Sequence, residues 1–93
     1  MTIKSFKCAD TKFLFDGERV KRFVNIESTA MRKLAMLNRA ESIGDLKVPP
    51  GNRLEALEGN RKGQHSIRVN AQWRVCFRWT GTDAEDVEIV DYH

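Results

Sequence analysis

Through much of the run from Asn52 to Trp79, apolar residues recur at every second position, with arginines standing between them. A period of two is the period of a strand that buries one side. It sends Leu54 and Ala56, Ile67 and Val69, and Trp73, Val75 and Phe77 to one face. Arg53 and Glu55, Arg68, and Arg74 and Arg78 fall on the other. A sheet that packs one side and displays guanidinium groups on the other is suited to holding phosphate.

The rest of the chain is read around that sheet. Met1–Lys7 reads as a short strand, and Asp10–Phe15 as a brief helix with Asp10 at or near its N-cap. Asp16-Gly17 suits a left-handed helix stop. A longer helix is predicted from Asn25 or Ser28 to Arg39. Ala30, Leu34 and Leu37 form its stripe, Met31 and Met36 widen it, and Arg32, Lys33 and Arg39 lie largely outside it. Ser42–Leu46 has room for one helical turn, and Pro49-Pro50-Gly51 ends any helix. Four strands are then predicted: Arg53–Leu57, Gln64–Val69, Gln72–Trp79 and Asp86–Tyr92. They are joined at Glu58–Gly63, Asn70-Ala71 and Thr80–Asp83. Strand, two helices and a run of strands indicate an α+β fold, an antiparallel-rich sheet with the helices on one face.

At 93 residues the chain has room for one domain and one core. No stretch resembles a transmembrane span, and MTIKSFK lacks the apolar centre of a signal peptide, so a cytoplasmic setting without membrane contact is expected. Cys8 and Cys76 form no metal-ligand pattern and are expected as free thiols. The net charge of +3 says less than its distribution. Asn60–Trp79 holds five basic residues and no acid, whereas Gly81–Tyr92 holds five acids and no base. Such segregation either gives a polyanion a place to dock or pairs two neighbouring strands.

The pattern R-L-E-x-L-x-G-N-R-x-G-Q-H-S-I-R-V-N-x-Q-W-R-x-C-F, closed by V-D-Y-H and preceded by an opening I-K-S-F-K, resembles HigB-like toxins of bacterial type II toxin–antitoxin systems, within the RelE/ParE superfamily. The resemblance runs over essentially all of 1–93 and rests on the combination of motifs. It implies a RelE/ParE-like fold and a ribosome-dependent mRNA endonuclease that slows growth. The implied partners are a HigA-type helix-turn-helix antitoxin, the small ribosomal subunit and mRNA, with operator DNA reached only through the antitoxin.

RNA cleavage without a metal or other cofactor needs a base for the ribose 2′-OH, stabilisation of charge on the phosphate, and a proton for the leaving 5′-oxygen. Arg68 and Arg74, on neighbouring strands, are assigned as the phosphate clamp, against the alternative of exposed arginines pairing with Glu55 or Asp91. His93 is the acid/base candidate, because its side chain titrates near neutrality; its assignment rests mainly on the terminal motif. Tyr92 can stack on a base or donate to phosphate, and Asp91 can orient His93 or an arginine. Arg53, Gln72 and Arg78 are candidate RNA contacts. Arg61 and Lys62, at a loop tip, are better placed for ribosomal RNA than for chemistry. His65 falls on the opposite face, at the core edge or towards an antitoxin.

The chain departs from part of the family. Glu55 and Glu58 stand where some HigB toxins carry a histidine and a lysine. Glu55 can act as general base, but flanked by arginines it is a weaker one, and it can instead orient an arginine. Two readings compete with the nuclease: a ParE-like gyrase inhibitor that leaves RNA intact, and a weakly active toxin that mainly binds its antitoxin. With so sparse a catalytic set, the ribosome would have to align the mRNA, so naked RNA is expected to resist cleavage.

Overall fold

The computed structural model describes residues 2–92. The position of His93 therefore lies outside the described residues. Helix α1 spans Ala9–Phe15 and α2 spans Glu27–Arg39; strands β1 (Glu55–Ala56), β2 (Gln64–Arg68), β3 (Trp73–Trp79) and β4 (Ala84–Asp91) follow. The strands form an antiparallel sheet in chain order, so the α+β architecture is as expected.

The alternation in β2 and β3 decides which side is packed. Ile67, Val75, Phe77 and Ile89 are buried against Leu14, Phe23, Ala30, Leu34 and Leu37 from the helical layer. Helix α1 begins one residue before Asp10, after Cys8, which leaves Asp10 in the first turn, where it accepts from Arg22. Its end is a Schellman stop: Glu18 N–H donates to Phe13 O and Gly17 N–H to Leu14 O, with Gly17 at φ +93°. The turn after α2 is a 3-10 turn over Ile43–Lys47, closed by a reciprocal Ser42–Asp45 capping box.

Four expectations change. The N-terminal segment is not a strand of its own; it makes two isolated parallel bridges, Ile3 with Ala84 and Phe6 with Val87, along the outer edge of β4. Thr2 O and Ser5 O accept the Ala84 and Val87 N–H groups, and Thr11 Oγ1 accepts that of Ile89, so this edge is covered. The strand predicted over Arg53–Leu57 shrinks to Glu55–Ala56, because Pro50–Asn52 form a 3-10 turn and Arg53 turns left-handed (φ 45°, ψ 55°). Ala56 is consequently exposed, and Leu57 is buried in its place. Lys33 is buried, since it lies three residues after Ala30 and four before Leu37 on the inward stripe; its Nζ donates to Asn52 Oδ1. No helix among the described residues is long and apolar enough to cross a membrane.

Candidate active site

Register builds the polar face of the sheet. Glu55 stands opposite Ser66, Ser66 opposite Cys76, and Cys76 opposite Glu88, while Arg68 faces Arg74 and Arg74 faces Val90. All of these side chains share the side away from the helices. Two turns fold over it: Gly59–Arg61 from the β1–β2 loop, and the bend at Arg53. The face is thus partly roofed rather than open.

Arg74 is the best-held member, at only 8% exposed. Its Nε donates to the buried Ser66 Oγ at 2.8 Å, one Nη2 hydrogen bonds Arg53 O at 2.7 Å, and Nη1 lies 3.4 Å from Glu55 Oε1. A guanidinium carries five N–H donors, so these three contacts leave two for an incoming anion. The Tyr92 ring lies over the same guanidinium, 5.4 Å from ring centre to Cζ. Arg68 gives its Nε–H to Asn70 O and stands directly opposite Arg74. Like charges facing each other across two strands are mutually unfavourable, and an anion between them removes the conflict.

Asp91 and Tyr92 are tied to this place through the β2–β3 turn. Asn70 Oδ1 accepts the N–H groups of Gln72 and Trp73, which shapes the turn. Gln72 then bonds Asp91 Oδ2 through its amide and accepts the Tyr92 N–H at its carbonyl. Gln72, predicted as an RNA contact, is therefore engaged in holding Asp91 and Tyr92 in place.

Arg61 is not a solvated loop-tip residue. Its Nη1 reaches back 2.9 Å to Glu88 Oε1 and 3.2 Å to Gln64 Oε1, and the Glu88 carboxylate raises its proton affinity further. Lys62 is exposed as expected. Arg78 is exposed and 3.5 Å from Asp86, at the rim, and Arg53 contributes its carbonyl rather than its side chain to the centre. His65 stacks on Phe77 on the packed side, away from the site. Among the described residues no group of three or more His, Cys, Asp or Glu side chains stands close enough to hold a metal ion.

Ser66 and Glu88 are the members that sequence reasoning missed. Alternation alone would have placed Ser66 between Glu55 and Cys76 and beside Arg68, although a serine in a strand carries no chemical signal by itself. Burial pushes the Cys76 thiol between them up to about 11, with Arg61 and Arg74 pulling the other way. A dry, guanidinium-lined patch of this kind can bind a phosphate diester and stabilise charge on its oxygens.

The sheet sets Arg68 opposite Arg74 and Tyr92 over the partly roofed Arg74 guanidinium, and residues 4–93 match the model of a family of small toxins described as "RelE-like toxin of type II toxin-antitoxin system HigB". The chain is a member of that HigB-like toxin family. It is 34% identical over 96 residues to Endoribonuclease HigB of Proteus vulgaris, covering 98% of this chain and 99% of that protein. It is 54% identical over 55 residues to Toxin HigB-1 of Vibrio cholerae, a match that covers 59% of this chain and 58% of that relative, less than two thirds of its length. The solved YoeB/ParE toxin from Agrobacterium tumefaciens aligns over the whole chain at 19% identity, with a TM-score of 0.45.

Proposed function

We propose that this chain is a ribosome-dependent mRNA endonuclease, the toxin of a pair neutralised by a HigA-type helix-turn-helix antitoxin. The observation that carries the reading is the Arg74 guanidinium, fixed by Ser66, Arg53 O and Glu55 yet left with two free donors beneath Tyr92. The family membership, and a relative named as an endoribonuclease, agree with it.

In this reading the scissile phosphate sits between Arg74 and Arg68, which neutralise the charge that builds on its equatorial oxygens. The 2′-OH loses its proton to a base, with Glu55 as the candidate at the edge of the clamp, and attacks phosphorus. The P–O5′ bond breaks, and the 5′-oxygen takes a proton from His93. A 2′,3′-cyclic phosphate and a 5′-hydroxyl result. Tyr92 stacks on or donates to the substrate, Asp91 orients the chain end, and Arg53, Arg61, Lys62 and Arg78 border the path of the RNA. In-line geometry is left to the ribosome, which aligns the message.

Mapping mRNA 5′ ends after inducing the chain alone tests this. Cuts confined to translated messages, abolished by Arg74→Ala or by removing Tyr92 and His93, are expected. Intact mRNA accompanied by trapped gyrase would overturn the proposal, as would rapid cleavage of protein-free RNA.

A further inference from the structure

Lys33 and Asn52 form a buried pair on the helical side of the molecule that the chemistry above does not use. Asn52 is wholly buried. Its Nδ2 donates to Leu46 O at 3.1 Å and lies 3.5 Å from Val48 O and 3.1 Å from Met36 Sδ, while its Oδ1 accepts from Lys33 Nζ. A neutral amide is a poor reward for burying an ammonium group. Burial duly pushes the Lys33 amine below its ordinary value, with Arg32 adding to the effect. A methionine would fill the same space without that desolvation.

The pair has one consequence reaching the site. Asn52 immediately precedes Arg53, whose left-handed backbone (φ 45°) is sterically unfavourable for a side-chain-bearing residue. Such a conformation persists only where its surroundings hold it. On one side it is held by the Asn52 anchor and on the other by Arg74, whose Nη2 bonds the carbonyl that this conformation presents. Rotation at Arg53 would take that acceptor away from Arg74.

We infer that Lys33 and Asn52 are positioning residues for Arg74, acting through the Arg53 carbonyl: α2 sets the aim of the phosphate-binding guanidinium from the far side of the sheet. The inference rests on the proposed nuclease reading for its catalytic consequence, but not for its geometry.

The test uses the full chain with Lys33→Met, which keeps the stem and deletes the donor, beside Lys33→Arg, whose longer donors can still reach Asn52. Three quantities are read: the solvent-exchange rate of the Arg74 Nε–H by nitrogen-15 NMR, kcat and KM for mRNA on programmed ribosomes, and Tm. For Lys33→Met the Arg74 Nε–H should exchange about tenfold faster, and kcat should fall about tenfold with KM unchanged, since a small misplacement of a binding group costs rate. Lys33→Arg should restore both. A lower Tm with unchanged Arg74 exchange and unchanged kcat per folded molecule would overturn the inference and leave the pair a packing feature. If the wild-type chain cuts no mRNA, the nuclease reading fails, and the Arg74 exchange rate alone decides the positioning claim. Should Lys33→Met not fold, Lys33→Leu, which also lacks a donor, carries the same expectation.

Discussion

The dryness of the polar face can be measured through Cys76. Its thiol is fully buried between Ser66 and Glu88, directly under the elements that hold Arg61 and Arg74. Burial lifts it from 9.0 to about 11, and Glu88 adds to the rise while Arg61 and Arg74 oppose it. The folded chain therefore keeps a proton that the unfolded chain surrenders between those two values. Stability from this source is fully present below pH 9 and is lost as pH rises through about 11. At about 1.4 kcal/mol per decade, the loss is about 3 kcal/mol. Urea unfolding at pH 8, 9, 10 and 11, in reductant, compares the wild-type chain with Cys76→Ala. The substitution deletes the titration and leaves a small cavity, which lowers stability by a pH-independent amount. Contributions from Lys33 and Cys8 are common to both proteins and cancel in the difference. The stability advantage of the wild type should shrink by about 2 kcal/mol across the series, because at pH 11 the folded thiol is only half titrated. Parallel curves would mean that water reaches the thiol, and the argument that Arg74 acts in a low-dielectric patch would fall with it.

Three further outcomes follow from the same geometry. Arg74→Lys keeps the charge but loses the planar fork, so cleavage should drop about 100-fold while circular dichroism stays native; activity within threefold of wild type would show that the fork is not used. A double-mutant cycle of Arg61→Met and Glu88→Gln, read by urea unfolding, should return a coupling of about 1 kcal/mol, because the pair is partly buried and short; additive effects would show that the loop is not latched to β4. Iodoacetamide at neutral pH should label Cys8 and spare Cys76: burial raises the Cys8 thiol, but hydrogen bonds from Thr11, Asp10 and Arg22 outweigh it and lower the thiol overall. Equal labelling, checked by mass spectrometry, would contradict both environments.

What was legible in the sequence was whatever depends on local period. The alternation of β2 and β3 sends Ile67, Val75 and Phe77 inward and Arg68 and Arg74 outward, and the structure agrees. The Asp16-Gly17 stop and the turn at Ser42 were also readable, because both are contained within a few residues. What could not be read depends on contacts across long separations. Arg61 meets Glu88 across 27 positions, and Lys33 meets Asn52 across 19, so neither pairing leaves a mark on its neighbours in sequence. The left-handed bend at Arg53 was hidden for a related reason: only the surrounding anchors hold an arginine there, and no glycine announced it.

Five arginines lie on or around the polar face; Arg53 serves it through its carbonyl, and surroundings divide the work among the other four. Arg78 is exposed at the rim and salt-bridged to Asp86, an arrangement worth little and easily screened. Arg61 is committed to Glu88, so a phosphate could recruit it only by breaking that bond. Arg68 is tied at Nε and free at its fork, facing Arg74. Arg74 alone among these four combines burial, two neutral acceptors and one carboxylate that hold it, and two donors left over. A group held in this way pays its desolvation and ordering costs when the protein folds, so little reorganisation remains when substrate arrives. In the proposed reaction Ser66 and the Arg53 carbonyl would therefore matter as much as any titrating residue: with Glu55 they engage three of the five donors and leave two open to substrate.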